Sequence, residues 1–247
     1  MTEVPTRPGA TTMVLRDGTD GLEVVLQRRS PHLVFVPGAH AFPGGRVEAA
    51  DGLPHPVTGP VLTDAAASER LGVDAGGLAY WVAAVRELYE EVGLLVADGP
   101  VDRLGPHRAA VDRGEQGFAA LCAEHGVTLR PSDLRYFGHW TTPPGAPRRY
   151  STRFFVAPAP EGQEPLHDGN EAVEAGWVRP RDALERFAAG DWELILPTER
   201  SLLALTHFDR VDDVLAHLDT QPPLTDDHGG RRIALPSELA GVHQETL

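Results

Sequence analysis

The densest chemistry in the chain is carried by Arg86-Glu87-Leu88-Tyr89-Glu90-Glu91-Val92-Gly93. On a helix, Glu87, Glu90 and Glu91 fall at i, i+3 and i+4 and therefore share one face. Three neighbouring carboxylates repel one another, and a hard divalent cation that prefers oxygen ligands relieves that repulsion. The residues alone leave two readings open, a metal-binding face or an acidic face turned to water. Trp81, Val85, Leu88, Val92 and Leu95 recur at helical spacing on a neighbouring stripe, which suits anchoring the same helix in a core. Upstream lies a second compact segment, Gly38-Ala39-His40-Ala41-Phe42-Pro43-Gly44-Gly45-Arg46-Val47-Glu48.

Together the two segments resemble the signature of the Nudix hydrolases: Gly, five residues, Glu, seven residues, then Arg-Glu-hydrophobic-any-Glu-Glu-any-Gly-hydrophobic. Gly45 takes the first glycine, and Arg86 to Leu94 match the second half at every specified position. Two departures stand out. Asp51 replaces the first-half Glu, and 34 residues rather than seven separate it from Arg86, an insertion over residues 52–78. Lengthening the loop before the helix leaves the Glu spacing intact. The resemblance implies a metal-dependent hydrolase of a nucleoside diphosphate linked to another moiety, using Mg²⁺ or Mn²⁺. It makes Glu87 and Glu91 the leading metal ligands, with Glu90, the Gly45 carbonyl and Glu48 completing the set. Arg86 is expected to orient the glutamates, so that Glu87, Glu90, Glu91 and Arg86 form the catalytic group. The general base stays open between a box glutamate and one of Glu161, Glu164, Glu171 and Glu174.

The segment Val25-Leu26-Gln27-Arg28-Arg29-Ser30, followed by Val34, Gly38 and Phe42-Pro43-Gly44-Gly45, is similar to the motif of the coenzyme A diphosphatase subgroup, and the split box resembles its members with an interrupted box. Val34 stands where that motif has a second Arg, which could serve the 3′-phosphate of coenzyme A. The implied substrate is coenzyme A or an acyl-coenzyme A, cut to 3′,5′-ADP and a phosphopantetheine. ADP-ribose or a dinucleotide is the alternative. Arg29, Arg46 and His40 are the candidates for substrate contact, His40 being equally readable as a structural residue. Trp140 and Arg148-Arg149-Tyr150 could stack on or clamp a nucleotide.

These groups need a scaffold. Thr11–Arg16 and Leu22–Arg28 read as strands joined by the turn Asp17-Gly-Thr-Asp-Gly. Asp64–Leu71 and Ala79–Val92 read as helices, the second closed by Gly93, with Leu94–Val96 entering a strand. Residues 107–126 look helical, Asp133–Trp140 and Thr152–Ala157 look like strands, and a further strand ends at Trp177-Val178. Pro180–Ala188 starts on a helix-compatible proline, and Leu202–Leu218 reads as one more helix. Alternating strands and helices argue for an α/β layer fold, and the resemblance specifies a Nudix-like α/β/α sandwich with a mixed sheet. The expected organisation is a tail over residues 1–9, a hydrolase domain over 10–188, and a helical C-terminal extension over 189–247. That extension would cover the substrate or form a homodimer interface, with an irregular arm from Pro222.

Composition narrows the field. The 247 residues hold 22 basic against 36 acidic side chains, a net charge of −14. Such a chain is unsuited to nucleic acid or anionic membranes, whose affinity comes from phosphate neutralisation, and a phosphate-rich small molecule would have to be met by local cations. Every basic residue is Arg, which excludes a P-loop lysine, a Schiff base and a lysine general base. Cys122 is the only cysteine and sits in an apolar helical run, as core residues do. No apolar run reaches spanning length and no signal-peptide core is visible, so the cytoplasm is the expected location. A non-catalytic nucleotide-binding module would be favoured by loss of the box glutamates, and all three are present.

Overall fold

The computed structural model describes residues 4–33, 36–57, 59 and 62–220, together with the backbone of 231–233. The strands are β1 (Thr6–Gly18), β2 (Gly21–Arg29), β3 (His40–Ala41), β4 (Gly44–Arg46), β5 (Ala97–Asp98), β6 (Thr128–Leu129), β7 (Arg135–Thr141), β8 (Arg149–Pro158), β9 (Ala172–Val178) and β10 (Arg231–Ile233). The helices are α1 (Asp64–Leu71), α2 (Gly77–Val92), α3 (Arg108–Asp112), α4 (Phe118–His125), α5 (Pro180–Ala188), α6 (Leu196–Leu205) and α7 (Val211–Thr220). Eight strands form one sheet in the order β10-β7-β8-β1-β2-β3, with β4 also pairing β1 and β9 also pairing β2. The β1–β8 pair is parallel and the rest are antiparallel, so the sheet is mixed.

Strand β1 is buried on both faces, and its alternation separates two cores. Ala10 and Val14 pack with Trp81, Leu88 and Val92 of α2, and with Leu121 of α4. Met13 and Leu15 pack on the opposite face with Ala183 of α5, Leu202 and Leu205 of α6, and Val214 and Leu218 of α7. Helices thus cover both faces of the sheet, which is the α/β/α layering expected. Cys122 lies in the first core, fully buried. No helix among the described residues is long and apolar enough to cross a membrane.

Four elements depart from their expected bounds, each for a local reason. Strand β1 begins at Thr6, inside the expected tail, because Thr6 onward runs parallel to β8 from Arg149. Leu94–Val96 is not a strand: the Gln163 side chain takes both backbone groups of Leu95, accepting from its N–H at 2.8 Å and donating to its carbonyl at 3.0 Å. The helical stretch 107–126 breaks into α3 and α4 around Gly114, which has φ +68°. The helix expected over Leu202–Leu218 is two helices, α6 starting earlier at Leu196 and α7 starting at Val211, whose N–H donates to Asp17 Oδ1 at 2.8 Å. The C-terminal arm lies outside the described residues except for Arg231–Ile233, which pairs with the edge of β7.

The 52–78 insertion contributes α1 and the approach to α2. Asp64 accepts from the N–H groups of Gly76 and Leu78, each at 3.0 Å, at the opening of α2. Gly77 N–H donates to Ser68 Oγ at 2.9 Å, and a β-carbon at Gly77 would lie 2.2 Å from the Ser68 backbone nitrogen. The α1–α2 approach therefore requires glycine. Gly77→Ala should destabilise the chain by about 1–3 kcal/mol, the usual cost of overpacking, read from urea denaturation.

Candidate active site

The site is built on the C-terminal half of α2. Trp81, Val82, Ala84, Val85, Leu88 and Val92 are buried, and Gly93 stops the helix in the left-handed region at φ +69°. The acidic face is buried too: Glu87, Glu90 and Glu91 are 9%, 7% and 4% exposed. This rules out the water-facing reading of the three carboxylates. What covers them is the Gly44-Gly45 strand β4, paired with β1 through Ala10–Gly45 and Thr11–Gly44. Gly44 N–H and Gln27 Nε2 both donate to Glu91 Oε2 at 2.6 Å. A β-carbon at Gly45 would sit 2.5 Å from Glu87 Oε2, so only glycine lets this strand lie against the helix.

Arg86 binds the cluster together. Its Nε donates to Asp51 Oδ1 at 2.8 Å and its Nη2 to Asp51 Oδ2 at 3.1 Å, a bidentate pair with a carboxylate that is itself 2% exposed. Its Nη1 reaches Glu87 Oε1 and Glu90 Oε2, each at 2.9 Å, and its Nη2 also donates to the Arg46 carbonyl at 2.8 Å. Asp51 folds back on its own turn and accepts from Glu48 N–H at 2.7 Å. The aspartate at the first-half Glu position thus anchors Arg86.

Burial is the main electrostatic force on these groups. It pushes Glu90 up to about 7 and Glu91 up to about 8, and raises Glu87 well above the carboxylate range, against the lowering effect of Arg86 on Glu87 and Glu90. Burial also disfavours the Arg86 cation, but its bonds to Asp51 and the charges of Glu87, Asp51 and Glu90 outweigh that and keep it firmly protonated. Three buried carboxyl groups share this one guanidinium, and a fourth, Glu91, is met only by an amide and a backbone N–H, so the cluster is short of positive charge. Among the described residues no three acidic, imidazole or thiol groups converge into a ready-made metal cage. Glu87 and Glu90 are turned to Arg86, and Glu91 to Gln27 and Gly44. The donor chemistry nonetheless fits a hard divalent cation: clustered, desolvated oxygen ligands whose ionisation needs a counter-charge.

The cluster opens into a cavity of about 1780 Å³. Glu87, Glu90, Glu91, Arg86, Gly45, Glu48, Arg29 and Arg46 all reach its wall. So do Trp140, Arg148, Arg149 and Tyr150 around the β7–β8 turn. Of the four loop carboxylates, Glu171 alone is on that wall, raised by burial and by Asp112, which also lines it. Glu164 instead pairs with Arg16 and accepts from Trp177 Nε1 at 2.7 Å. Val34, at the missing Arg of the coenzyme A motif, lies outside the described residues.

His40 is the correction. It is not on the cavity wall; its ring stacks on Trp192, with centroids 3.9 Å apart and planes 11° from parallel. Burial lowers it to about 4. Its position in the glycine-rich segment suggested a phosphate contact, but the pairing of β3 with β2 carries it behind the loop. Sequence reasoning also missed Gln27 as the partner of Glu91, although a lone amide after Val24-Val25-Leu26 is a signal of a buried polar contact. Nothing in the sequence pointed to Asp112 or to the first turn of α6, which supplies Ile195, Leu196, Pro197 and Thr198 to the cavity.

The family model described as the NUDT19 Nudix domain matches residues 53–200, more than half of the chain. The chain belongs to the Nudix family. It is 30% identical to the human acyl-coenzyme A diphosphatase NUDT19 over 79% of this chain and 63% of that protein. The Gallus gallus protein of the same name is 28% identical over 78% of this chain and 63% of its own length. The chain therefore spans somewhat less than two thirds of these relatives. Among solved structures, a Nudix hydrolase from Alicyclobacillus acidocaldarius superposes with a TM-score of 0.71 at 28% identity, over 86% of this chain and 96% of that one. This Nudix fold thus carries its box on α2 and β4 in spite of the insertion between them.

Two measurements test the geometry. Asp51→Asn leaves Arg86 buried without its bidentate carboxylate and should cost about 3–5 kcal/mol in chemical denaturation, the penalty for breaking a buried pair from one side. His40 is depressed in the folded state, so the stability it contributes is present above its unfolded value near 6.5 and lost as the pH falls through about 4. His40→Phe, which keeps a ring on Trp192, should flatten the loss of stability between pH 6.5 and 4 by on the order of 3 kcal/mol.

Proposed function

We propose that this protein is a divalent-cation-dependent diphosphate hydrolase that cuts coenzyme A or an acyl-coenzyme A to 3′,5′-ADP and the corresponding phosphopantetheine. The observation that carries the reading is the buried carboxylate cluster Glu87, Glu90 and Glu91, short of positive charge and open to a large cavity. The similarity to two proteins named acyl-coenzyme A diphosphatase supports the choice of substrate.

Glu87, Glu91 and Glu90, with the Gly45 carbonyl and Glu48, are the residues that would hold Mg²⁺ or Mn²⁺. When bound, the ion shields diphosphate oxygens and lowers the pKa of a water for attack on phosphorus. The rest falls to the chain. Arg86, locked on Asp51, sets the directions of Glu87 and Glu90. Gly44 N–H and Gln27 fix Glu91. Arg29 and Arg46 bring positive charge to the wall near the glutamates and suit the diphosphate oxygens. As water adds to phosphorus and the bridging P–O bond breaks, a box carboxylate takes the released proton, with Glu171 across the cavity as the alternative base.

The deciding experiment is chromatography of products from coenzyme A, an acyl-coenzyme A, ADP-ribose and a dinucleotide, with Mg²⁺ or Mn²⁺. Release of 3′,5′-ADP from the coenzyme A substrates is expected. AMP from ADP-ribose or the dinucleotide alone would move the substrate, and nucleotide binding without turnover would make the chain a regulatory module. Glu91→Gln should lower turnover by at least roughly 100-fold while the metal-free protein keeps its melting temperature, because Glu91 is already inclined to its neutral form. Glu171→Gln should lose less than roughly tenfold in kcat if the base lies in the box, and on the order of 100-fold or more if Glu171 is the base.

A further inference from the structure

The cavity changes its chemistry from one end to the other. Its volume of about 1780 Å³ exceeds the few hundred to roughly 1,000 Å³ of a usual small-molecule site, so a diphosphate alone leaves most of it unfilled. The strand pairing fixes which part lies where. Gly9 of β1 pairs with Arg46 of β4 on one side and with Thr152 of β8 on the other. Strand β3, which ends two residues before β4, pairs with β2 instead and is bridged through His40 to Leu194, just ahead of α6. The box strand β4 and its glutamates therefore stand between the β7–β8 turn and the start of α6.

Charge is segregated across that span. Every carboxylate on the wall belongs to the centre: beside Glu87, Glu90 and Glu91, the charges of Glu48 and Asp112 act on Glu90 and that of Glu171 on Glu91. The α6 end is apolar, lined by Ala41, Phe42, Ile195, Leu196 and Pro197, and Leu196 is left 42% exposed. The β7–β8 end holds Arg148 and Arg149 with the half-buried Trp140 and Tyr150 and no carboxylate, in a chain whose net charge is −14. Arg149 is occupied in bracing the turn. Its Nε donates to the Thr142 carbonyl and its Nη1 to the Val4 carbonyl, each at 3.0 Å, and Thr142 N–H donates to the Tyr150 carbonyl at 2.9 Å. Arg148, next to it on the pinned turn, is exposed on the cavity wall and forms no hydrogen bond or ion pair with any described residue. An uncommitted guanidinium kept clear of acidic neighbours, beside two aromatic side chains, suits a phosphorylated aromatic group.

We propose that the substrate lies across the cavity with its phosphorylated adenosine at the β7–β8 turn, where Arg148 takes the phosphate on the ribose, and with its pantetheine and acyl arm over Phe42 and Leu196. This rests on the coenzyme A reading above. The three zones of the wall match three parts of one molecule: an aromatic, anionic end, a diphosphate over the glutamates, and a long arm of low charge. Arg148 is then a specificity-determining residue. It meets a group absent from 3′-dephospho-coenzyme A and takes no part in the bond cleavage.

The test measures kcat and KM of wild type, Arg148→Gln, Arg148→Lys and Leu196→Asn on coenzyme A, 3′-dephospho-coenzyme A and octanoyl-coenzyme A, together with calorimetric binding of 3′,5′-ADP and 5′-AMP. Arg148→Gln should raise KM for coenzyme A roughly tenfold with kcat little changed, shift KM for the dephospho form by less than about twofold, and remove a preference for 3′,5′-ADP over 5′-AMP. Arg148→Lys should recover most of the loss, because it restores the charge. Leu196→Asn should lower kcat/KM for the octanoyl thioester relative to free coenzyme A roughly fivefold, without altering the preference for 3′,5′-ADP. Equal effects of Arg148→Gln on coenzyme A and its dephospho form, no effect on either, or an acyl preference untouched by Leu196→Asn would overturn the orientation. If wild type cuts none of these substrates, the coenzyme A reading fails on its own. The Arg148 site then stands only if 3′,5′-ADP still binds more tightly than 5′-AMP and Arg148→Gln abolishes that difference.

Discussion

Everything in the site depends on how one guanidinium is shared among three buried carboxyl groups, with a fourth held beside them. Arg86 engages Asp51, Glu87 and Glu90 directly, while Glu91 is held separately by an amide and a backbone N–H. Burial opposes every one of these charges, so the arrangement persists only because each bond is short and well aimed. The raised values of Glu90 and Glu91 express the same burial. A divalent cation would complete the arrangement, which ties the stability of this corner of the fold to the chemistry proposed for it.

Holding that cluster explains much of the architecture. Helix α2 is fixed by a core on one side and roofed by β4 on the other, where Gly45 lets backbone lie directly on Glu87 and Gly44 lets the same strand close on β1. The parallel β1–β8 pair supports both β4 and the opposite wall of the cavity, where Phe154 and Thr152 sit beside the β7–β8 turn. On the other face, α5 to α7 pack a second core against the same strands. The region expected as an extension therefore shares the central sheet and lends α6 to the cavity. The insertion within the box is accommodated at the N-terminal end of α2, where α1 packs, and leaves the glutamates at the other end untouched.

Where the reading of the residues fell short, the cause was a partner far along the chain. Leu94–Val96 has the apolar character of a strand, but the Gln163 side chain occupies the backbone that a strand would use. The stretch Leu202–Leu218 has helical composition throughout, and the break before Val211 is stabilised by Asp17, 194 residues away. His40 looked like a phosphate ligand from its neighbours alone. Its actual neighbour, Trp192, belongs to the segment before α6.

By itself the sequence determined the reactive helix and its partner loop: the i, i+3, i+4 glutamates, the Arg before them and the Gly44-Gly45 pair. Helical periodicity and glycine's lack of a side chain are local properties, and the family pattern is written in the same local spacing. Only the tertiary structure decided that these carboxylates are buried and that Asp51 grips Arg86 across 35 residues. The same holds for Gln27 meeting Glu91 across 64, and for Thr198 facing the cavity while His40 does not. Each of those facts depends on which strands pair and which faces are covered, and desolvation is a property of a whole packed assembly.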